Sequence, residues 1–251
     1  VICCSCEHFA RSFSQLLIFM TSAHVFLIVY KIILPIRWVL AVLRPLTSRI
    51  ILGAYAALKW FHYKRTGHNL PPPQAYKKAT VRHYAQTFGL RSFVETGTYL
   101  GNMIAATEDL FEQIYSIELS PELWRAAMWR FQHDKRVRIL QGDSGSVLPR
   151  LLQDIDTPCL FWLDGHYSGG VTACGDTETP IVAELEAVLC HSISTRRHVV
   201  LIDDAQCFTG QHGYPTVEEL RAIVAERRPE LTFEVVDEII RIHHKYQKVN
   251  E

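Results

Sequence analysis

Six carboxylates in this chain of 251 residues stand where short apolar runs give way to polar turns, and their order along the chain describes a ligand site. The first is Glu95, in Phe93-Val94-Glu95-Thr96-Gly97-Thr98-Tyr99-Leu100-Gly101, which reads as a buried strand breaking through glycines into a helix. Gly97 permits a tight turn and the close approach of a ligand, and Gly101 lets the next helix pack on its strand. Glu95 can accept hydrogen bonds from a cationic or hydroxylated ligand, with Thr98 and Tyr99 lining the turn. A pyrophosphate would prefer a third glycine and no carboxylate so near, yet Tyr99 stands where a dinucleotide fingerprint has its middle glycine. The balance favours S-adenosylmethionine over NAD. An ordinary strand-turn-helix junction also needs a glycine, so the run gains its meaning from the acids at the later strand ends.

Glu118 closes the next apolar run, Ile114-Tyr115-Ser116-Ile117-Glu118, about twenty residues after the glycine turn, where a ribose diol is gripped. The alternative is a surface glutamate opening a helix. Asp143 and Ser144, after Gln141-Gly142, offer a carboxylate and a hydroxyl to an adenine amine, and a helix cap explains them nearly as well. Two further runs end in acids: Leu160-Phe161-Trp162-Leu163 leads into Asp164-Gly165-His166, and Val199-Val200-Leu201-Ile202 into Asp203-Asp204. On adjacent strands, three carboxylates would converge. Such like charges repel, so either a proton is shared or a cation sits among them. Oxygen-only ligation with room for water favours Mg²⁺, Mn²⁺ or Ca²⁺ over zinc, and a metal there would lower the pKa of a substrate hydroxyl. His166 is placed to take that proton, or else is a satisfied structural histidine.

Positioning these groups requires an alternation of strands and helices. Strands are predicted at 92–96, 114–118, 137–141, 159–164, 198–203, 232–236 and 239–243, with helices near 75–88, 101–112, 121–132, 145–154, 179–190 and 216–227. Pro121 and Pro180 suit first helical turns, and Thr179 and Thr216 suit caps. The last two strands leave no room for a helix and must pair antiparallel. The predicted fold is α/β: a Rossmann-like, doubly wound, mainly parallel sheet of seven strands with an antiparallel C-terminal hairpin, preceded by hydrophobic N-terminal helices. Ligands of such sheets bind beyond the carboxyl ends of the strands, where the polar residues accumulate.

On these residues the chain resembles the class I S-adenosylmethionine-dependent methyltransferases, and within them the metal-dependent macrocin-type sugar O-methyltransferases. The resemblance runs roughly from Phe93 to Ile242. It rests on Glu95-Thr-Gly97-x-x-x-Gly101, Glu118 and Gly142-Asp143, and on one aspartate after the fourth strand with two consecutive ones after the fifth. It implies Glu95, Gly97, Thr98, Tyr99, Gly101, Glu118, Asp143, Ser144 and Asp164 as cofactor contacts, and Asp164, Asp203 and Asp204 as ligands of Mg²⁺ or a similar divalent cation. His166 and Asp164 would then serve catalysis. His166 departs from the pattern, which commonly has an acid there as base. The implied activity is O-methylation of a small-molecule or sugar hydroxyl. The alternative is a membrane-associated cofactor-binding or scaffold domain without turnover.

With 48% hydrophobic and 21% charged residues, the chain can bury one full-sized core plus an appended segment. Its zero net charge hides an asymmetry. Residues 1–94 carry 12 Lys and Arg against Glu7 alone, whereas 95–251 carry 14 against 25 acids, so the two parts stand at +11 and −11. The expected division is a hydrophobic, basic segment over 1–70, a Pro-rich spacer and lead-in helix over 71–91, and a catalytic domain over 92–251. Apolar runs between residues 12 and 61, punctuated by Lys31, Arg37, Arg44, Arg49 and Lys59, suit a membrane span or interfacial helices, with the catalytic domain facing the cytoplasm. A cleaved targeting peptide, helices packed on the domain, and translation from Met20 are the competing readings. Seven unpatterned cysteines favour a reduced setting. An acidic catalytic part without a basic stripe excludes nucleic acid as substrate and leaves a small hydroxylated molecule. The Gly-rich loop 167–178 is a candidate lid, and Tyr214 a candidate pocket residue.

Overall fold

The computed structural model describes residues 72–165, 179–191, 197–211 and 213–245. His166, the 167–178 loop and the apolar segment 12–61 lie outside them. Among the described residues, no helix is long and apolar enough to cross a membrane.

Helix α1 (Gln74–Phe88) begins directly after the prolines and stops at Gly89, whose left-handed φ of 63° lets its N–H close on the last carbonyls. The sheet comprises β1 (Ser92–Thr96), β2 (Gln113–Glu118), β3 (Val137–Gln141), β4 (Cys159–Leu163), β5 (Val199–Ile202), β6 (Leu231–Val236) and β7 (Ile239–His244). Its order is β3-β2-β1-β4-β5-β7-β6. All neighbours are parallel except β7, which runs antiparallel to both β5 and β6. The chain reverses direction of travel between β1 and β4, so the crevice for a ligand opens at the ends of those two strands.

β1, β4 and β5 are buried along their length because both faces are covered, and β4 and β5 are apolar throughout. Val94, Phe161 and Ile202 pack with Leu148, Leu185 and Leu220 on one face. Phe93, Leu160, Trp162 and Leu201 pack with Val81, Ile104 and Phe131 on the other. The covering helices α3 (Pro121–Phe131), α4 (Ser144–Leu151), α5 (Ile181–Cys190) and α6 (Val217–Arg227) match their predicted positions to within a few residues. Pro121 takes the first turn of α3, and Ser120 accepts from Leu123 N at 3.3 Å. Thr216 and Glu219 form a reciprocal capping box on α6. α5 starts one residue later than expected: Pro180 is its N-cap rather than part of its first turn, and Thr179, one place further out, accepts at Oγ1 from Ile181 N at 3.3 Å.

The helix expected over 101–112 is the main difference. The chain forms only α2 (Ile104–Thr107) and a 3-10 turn over Glu108–Leu110. Gly101 is left-handed at φ 67°, which delays the start, and Thr107 Oγ1 bonds back to Met103 O at 2.9 Å as the chain leaves helical angles. A Cβ on Gly101 would lie 2.5 Å from the Phe131 ring, so this glycine admits α3 rather than a long helix of its own.

Gly97 is likewise a packing glycine. At φ 82°, its missing Cβ would stand 2.4 Å from the Asp164 carbonyl oxygen, so the space expected for a ligand is taken by the end of β4. Gly97→Ala therefore forces two backbone segments apart in a conformation that L residues avoid, and unfolding free energy is expected to fall by roughly 2–4 kcal/mol. Gly89→Ala, at φ 63° with nothing within 4 Å, should lose only about 1 kcal/mol. Urea midpoints of the two variants check the contrast.

Candidate functional site

Register brings the acids together. Thr96 is level with Leu163 and Leu163 with Ile202, so the next residues, Gly97, Asp164 and Asp203, share one level across three strands. The ladder continues past the strands: Asp164 N donates to Thr96 O at 3.2 Å, and Asp203 N to Leu163 O at 3.1 Å. Asp204 follows in the left-handed region, at φ 52° and ψ 52°, an angle that Asp tolerates better than most residues. Ala205 N donates to Glu238 O at 2.8 Å and ties this bend to the β6–β7 turn. One carboxylate oxygen each of Asp164, Asp203 and Asp204 lies within 4.8 Å of the others.

A lysine lies against this cluster. Lys77 Nζ donates to Asp203 Oδ2 at 2.6 Å and to Asp204 Oδ1 at 3.0 Å, with Lys77 and Asp203 only 6% and 1% exposed. Burial works to lower the Lys77 pKa, but Asp203 and Asp204, with Asp164 adding, outweigh it and hold the ammonium above its ordinary range. Burial pushes the Asp203 carboxyl up, and Lys77 pulls it back. Asp203 Oδ1 accepts from Asp204 N at 2.9 Å, and Asp204 Oδ1 also accepts from Gln206 Nε2 at 3.2 Å. Both Asp203 oxygens are thus engaged by donors of the chain itself. The donor set is right for a hard divalent ion, but with Lys77 seated the expected metal does not fit the cluster as it stands.

Lys77 is the residue that sequence reasoning missed, and a signal for it exists. The buried stripe of α1 is Lys77, Thr80, Val81, Tyr84 and Ala85, so a lysine falls in register with the core face. A cation on that face needs a buried acid, and the stretch between Glu7 and Glu95, which holds no acid, cannot supply one locally. Next to Lys77, the Tyr76 hydroxyl donates to Asp237 and accepts from Arg241 Nη2 at 3.1 Å, joining α1 to the terminal hairpin.

At the β1 and β2 ends the second group assembles. Glu118 is 5% exposed, which rules out a surface glutamate: Oε2 accepts from Tyr99 N at 2.8 Å and Oε1 from Ser120 N at 2.9 Å. Tyr99 is left-handed at φ 48°, the conformation a glycine would adopt at that position, and Glu118 holds it there. Glu95 is 2% exposed and accepts from Ser116 Oγ at 2.7 Å, which in turn is 2.6 Å from Thr98 Oγ1. Burial, partly offset by Ser116, pushes the Glu95 carboxyl up to about 8, with Asp164 and Glu118 adding to the rise. Asp143 caps α4, its Oδ2 accepting from Ser146 N at 3.0 Å. Ser144 is buried, and its Oγ would lie 3.1 Å from a Cβ on Gly165, so it faces the β4 end. Tyr214 packs edge-on against Phe208, with ring centroids 5.8 Å apart.

Solved structures share this architecture. The O-methyltransferase TomG from Streptomyces achromogenes, solved in complex with SAM, is 14% identical, with 76% of this chain and 87% of that one covered at a TM-score of 0.50. The SAH-bound Podospora anserina methyltransferase PaMTH1 is 15% identical over 80% and 97% of the two chains, with a TM-score of 0.49. An O-methyltransferase from Bacillus cereus in complex with SAH is 12% identical over 82% and 96%, also at 0.49. No protein-family model matches the sequence, and no curated protein sequence matches it. With the strand order and the terminal hairpin, the likeness to TomG establishes the fold: that of the class I S-adenosylmethionine-dependent methyltransferases.

Proposed function

We propose that this chain is an S-adenosylmethionine-dependent methyltransferase that methylates a hydroxyl of a small molecule. One observation carries the reading: acids at successive strand ends divide into two groups on either side of the β1/β4 crevice. Glu95 and Glu118 stand at the carboxyl ends of β1 and β2 and Asp143 lies just past β3, whereas Asp164 follows β4 and Asp203 and Asp204 follow β5.

The first group fits an adenosyl amino acid. Each Glu118 oxygen accepts one backbone N–H and keeps capacity for a second donor, which suits the two hydroxyls of a ribose. Glu95, buried at the bottom of the turn, suits an ammonium. Asp143 spends one oxygen on the cap and has the other for an amine. When bound, the cofactor supplies an electrophilic methyl on a sulfonium. Asp164, level with Gly97, borders both groups. The aspartates beyond it accept a hydrogen bond from the acceptor hydroxyl and orient its oxygen, while His166, two residues past Asp164, takes the proton. Orientation and exclusion of water account for the rate.

Calorimetry with S-adenosylmethionine and S-adenosylhomocysteine, joined to a methyl-transfer assay on a panel of small hydroxylated acceptors, tests the reading. Both adenosyl compounds are expected to bind at micromolar Kd, and at least one acceptor to be methylated on oxygen. Failure to bind either compound overturns the proposal, and binding without transfer reduces the chain to a cofactor-binding domain.

A further inference from the structure

We propose that Lys77 is the resident cation of the acidic cluster and stands in place of a divalent metal, so that the site works without one. The inference deepens the acceptor half of the proposed function, but its main test does not depend on methyl transfer.

Asp203 is the innermost of the three acids, and Lys77 meets it at 2.6 Å from a helix that packs onto the sheet by its neighbours Val81, Tyr84 and Ala85. The ammonium bridges the two consecutive aspartates, as a shared metal would. A hard ion bound about 2.1 Å from Asp203 Oδ2 would lie within about 5 Å of the ammonium, and the two like charges would repel across a poorly solvated space. The other Asp203 oxygen is held by Asp204 N, which fixes the left-handed bend, so a metal cannot take that side without loosening the bend. Lys77 does not leave cheaply, since departure would take the ammonium from the buried Asp203 carboxylate.

What a metal would do for the acceptor site, Lys77 does in part. It offsets charge at Asp203 and Asp204 and fixes the two against each other, while Asp164 stands on the neighbouring strand at the crevice side. It therefore acts as a positioning residue through the aspartates. A hydroxylated acceptor is then oriented by hydrogen bonds to carboxylates rather than by direct coordination, which favours isolated hydroxyls over catechol-like pairs that need a chelating ion.

The test is uptake of Mn²⁺ alone, followed by the loss of the free-ion EPR signal, in the full chain and in Lys77→Met, with melting temperature recorded for each. The wild-type chain is expected to take up no stoichiometric Mn²⁺ at about 1 mM or below, on the order of a thousandfold weaker than a built carboxylate site. Lys77→Met, which keeps the stem and removes the charge, should bind one ion at least tenfold more tightly, and its melting temperature should rise with Mn²⁺ while the wild type's does not. Lys77→Arg, which keeps the charge, should behave as wild type. If Met at 77 does not fold, Lys77→Gln is read in the same way. Stoichiometric Mn²⁺ in the wild type, abolished by Asp203→Asn, overturns the proposal, and so does a folded Lys77 variant that lacks the charge and takes up none. Wherever an acceptor is methylated, dialysis against EDTA should leave the rate within twofold, and loss of turnover restored by Mg²⁺ would also overturn it. Failure of the methyltransferase reading would instead appear as absence of adenosyl binding, with the Mn²⁺ result unchanged.

Discussion

Glu118→Ala is expected to weaken S-adenosylhomocysteine binding by a hundredfold or more and to lower stability by roughly 1–3 kcal/mol. The stability term comes from Ser120 N, a buried donor that gives its hydrogen bond to Glu118 Oε1 at 2.9 Å just ahead of α3. Tyr99 N is nearer solvent and finds water, so it adds little to that loss. Its contribution is to binding: without Oε2 at 2.8 Å nothing holds Tyr99 at φ 48°, and the turn that shapes the crevice relaxes toward ordinary angles. Loss of the ribose acceptor comes on top. Glu118→Gln keeps one carbonyl oxygen and should fall between alanine and wild type. Asp203→Asn is the matched opposite, removing charge from the acceptor group without volume, and should abolish transfer while cofactor Kd stays within threefold. Calorimetry, urea unfolding and the transfer assay on the variants give these quantities. Equal loss of cofactor affinity from Glu118→Ala and Asp203→Asn would sink the division of the site into two halves.

The strand ends were legible because each is marked by a change that two physical rules enforce together. A strand buried on both faces must be apolar along its length, as Cys159–Leu163 is, and its first polar residue must be where the chain leaves the sheet. This rule places Asp164 and Asp203 without reference to any neighbour, whereas Glu118 closes a strand that already carries a buried Ser116. It says nothing of what a carboxylate meets once there. Lys77 comes from a helix 126 positions earlier than Asp203, and only the packing angle of α1 brings it to the cluster. Asp143 shows the same limit from the other side: a cap and a ligand contact demand the same residue at the same place, and the structure reveals a cap without excluding the second use of its carboxylate. The turn between β6 and β7 was placed by the two strands that flank it, but its angles were not. Asp237 and Glu238 adopt φ of 52° and 58°, angles usually marked by Asn-Gly, and Tyr76 on α1 holds Asp237 there in place of that preference. The short α2 belongs with these, since its early end depends on the bond from Thr107 to Met103.

Glu95 should make both stability and cofactor affinity depend on pH between about 5 and 8, and in opposite directions. Its carboxyl has an ordinary value of 4.5 and is raised by burial to about 8, so across that window the folded chain holds a proton that the unfolded chain has released. The contribution is present below the ordinary value and is lost as pH rises through the folded value, up to a few kcal/mol at about 1.4 kcal/mol for each pH unit. The Glu95 contribution to the melting temperature is therefore expected to fall from about pH 5 to about pH 8. Glu95→Gln keeps an acceptor for Ser116 Oγ, carries no charge to bury, and should remove most of that slope and melt higher than wild type at about pH 8. An ammonium seated against Glu95 requires the ionised form, so cofactor binding should strengthen toward about pH 8 and release close to one proton at about pH 7. Calorimetry in buffers of different ionisation enthalpy counts that proton, and the count should fall toward zero in Glu95→Gln, together with a loss of affinity of about tenfold or more. A wild-type proton count equal to that of the variant would place the ammonium elsewhere and leave Glu95 as a protonated acid bonded within the sheet.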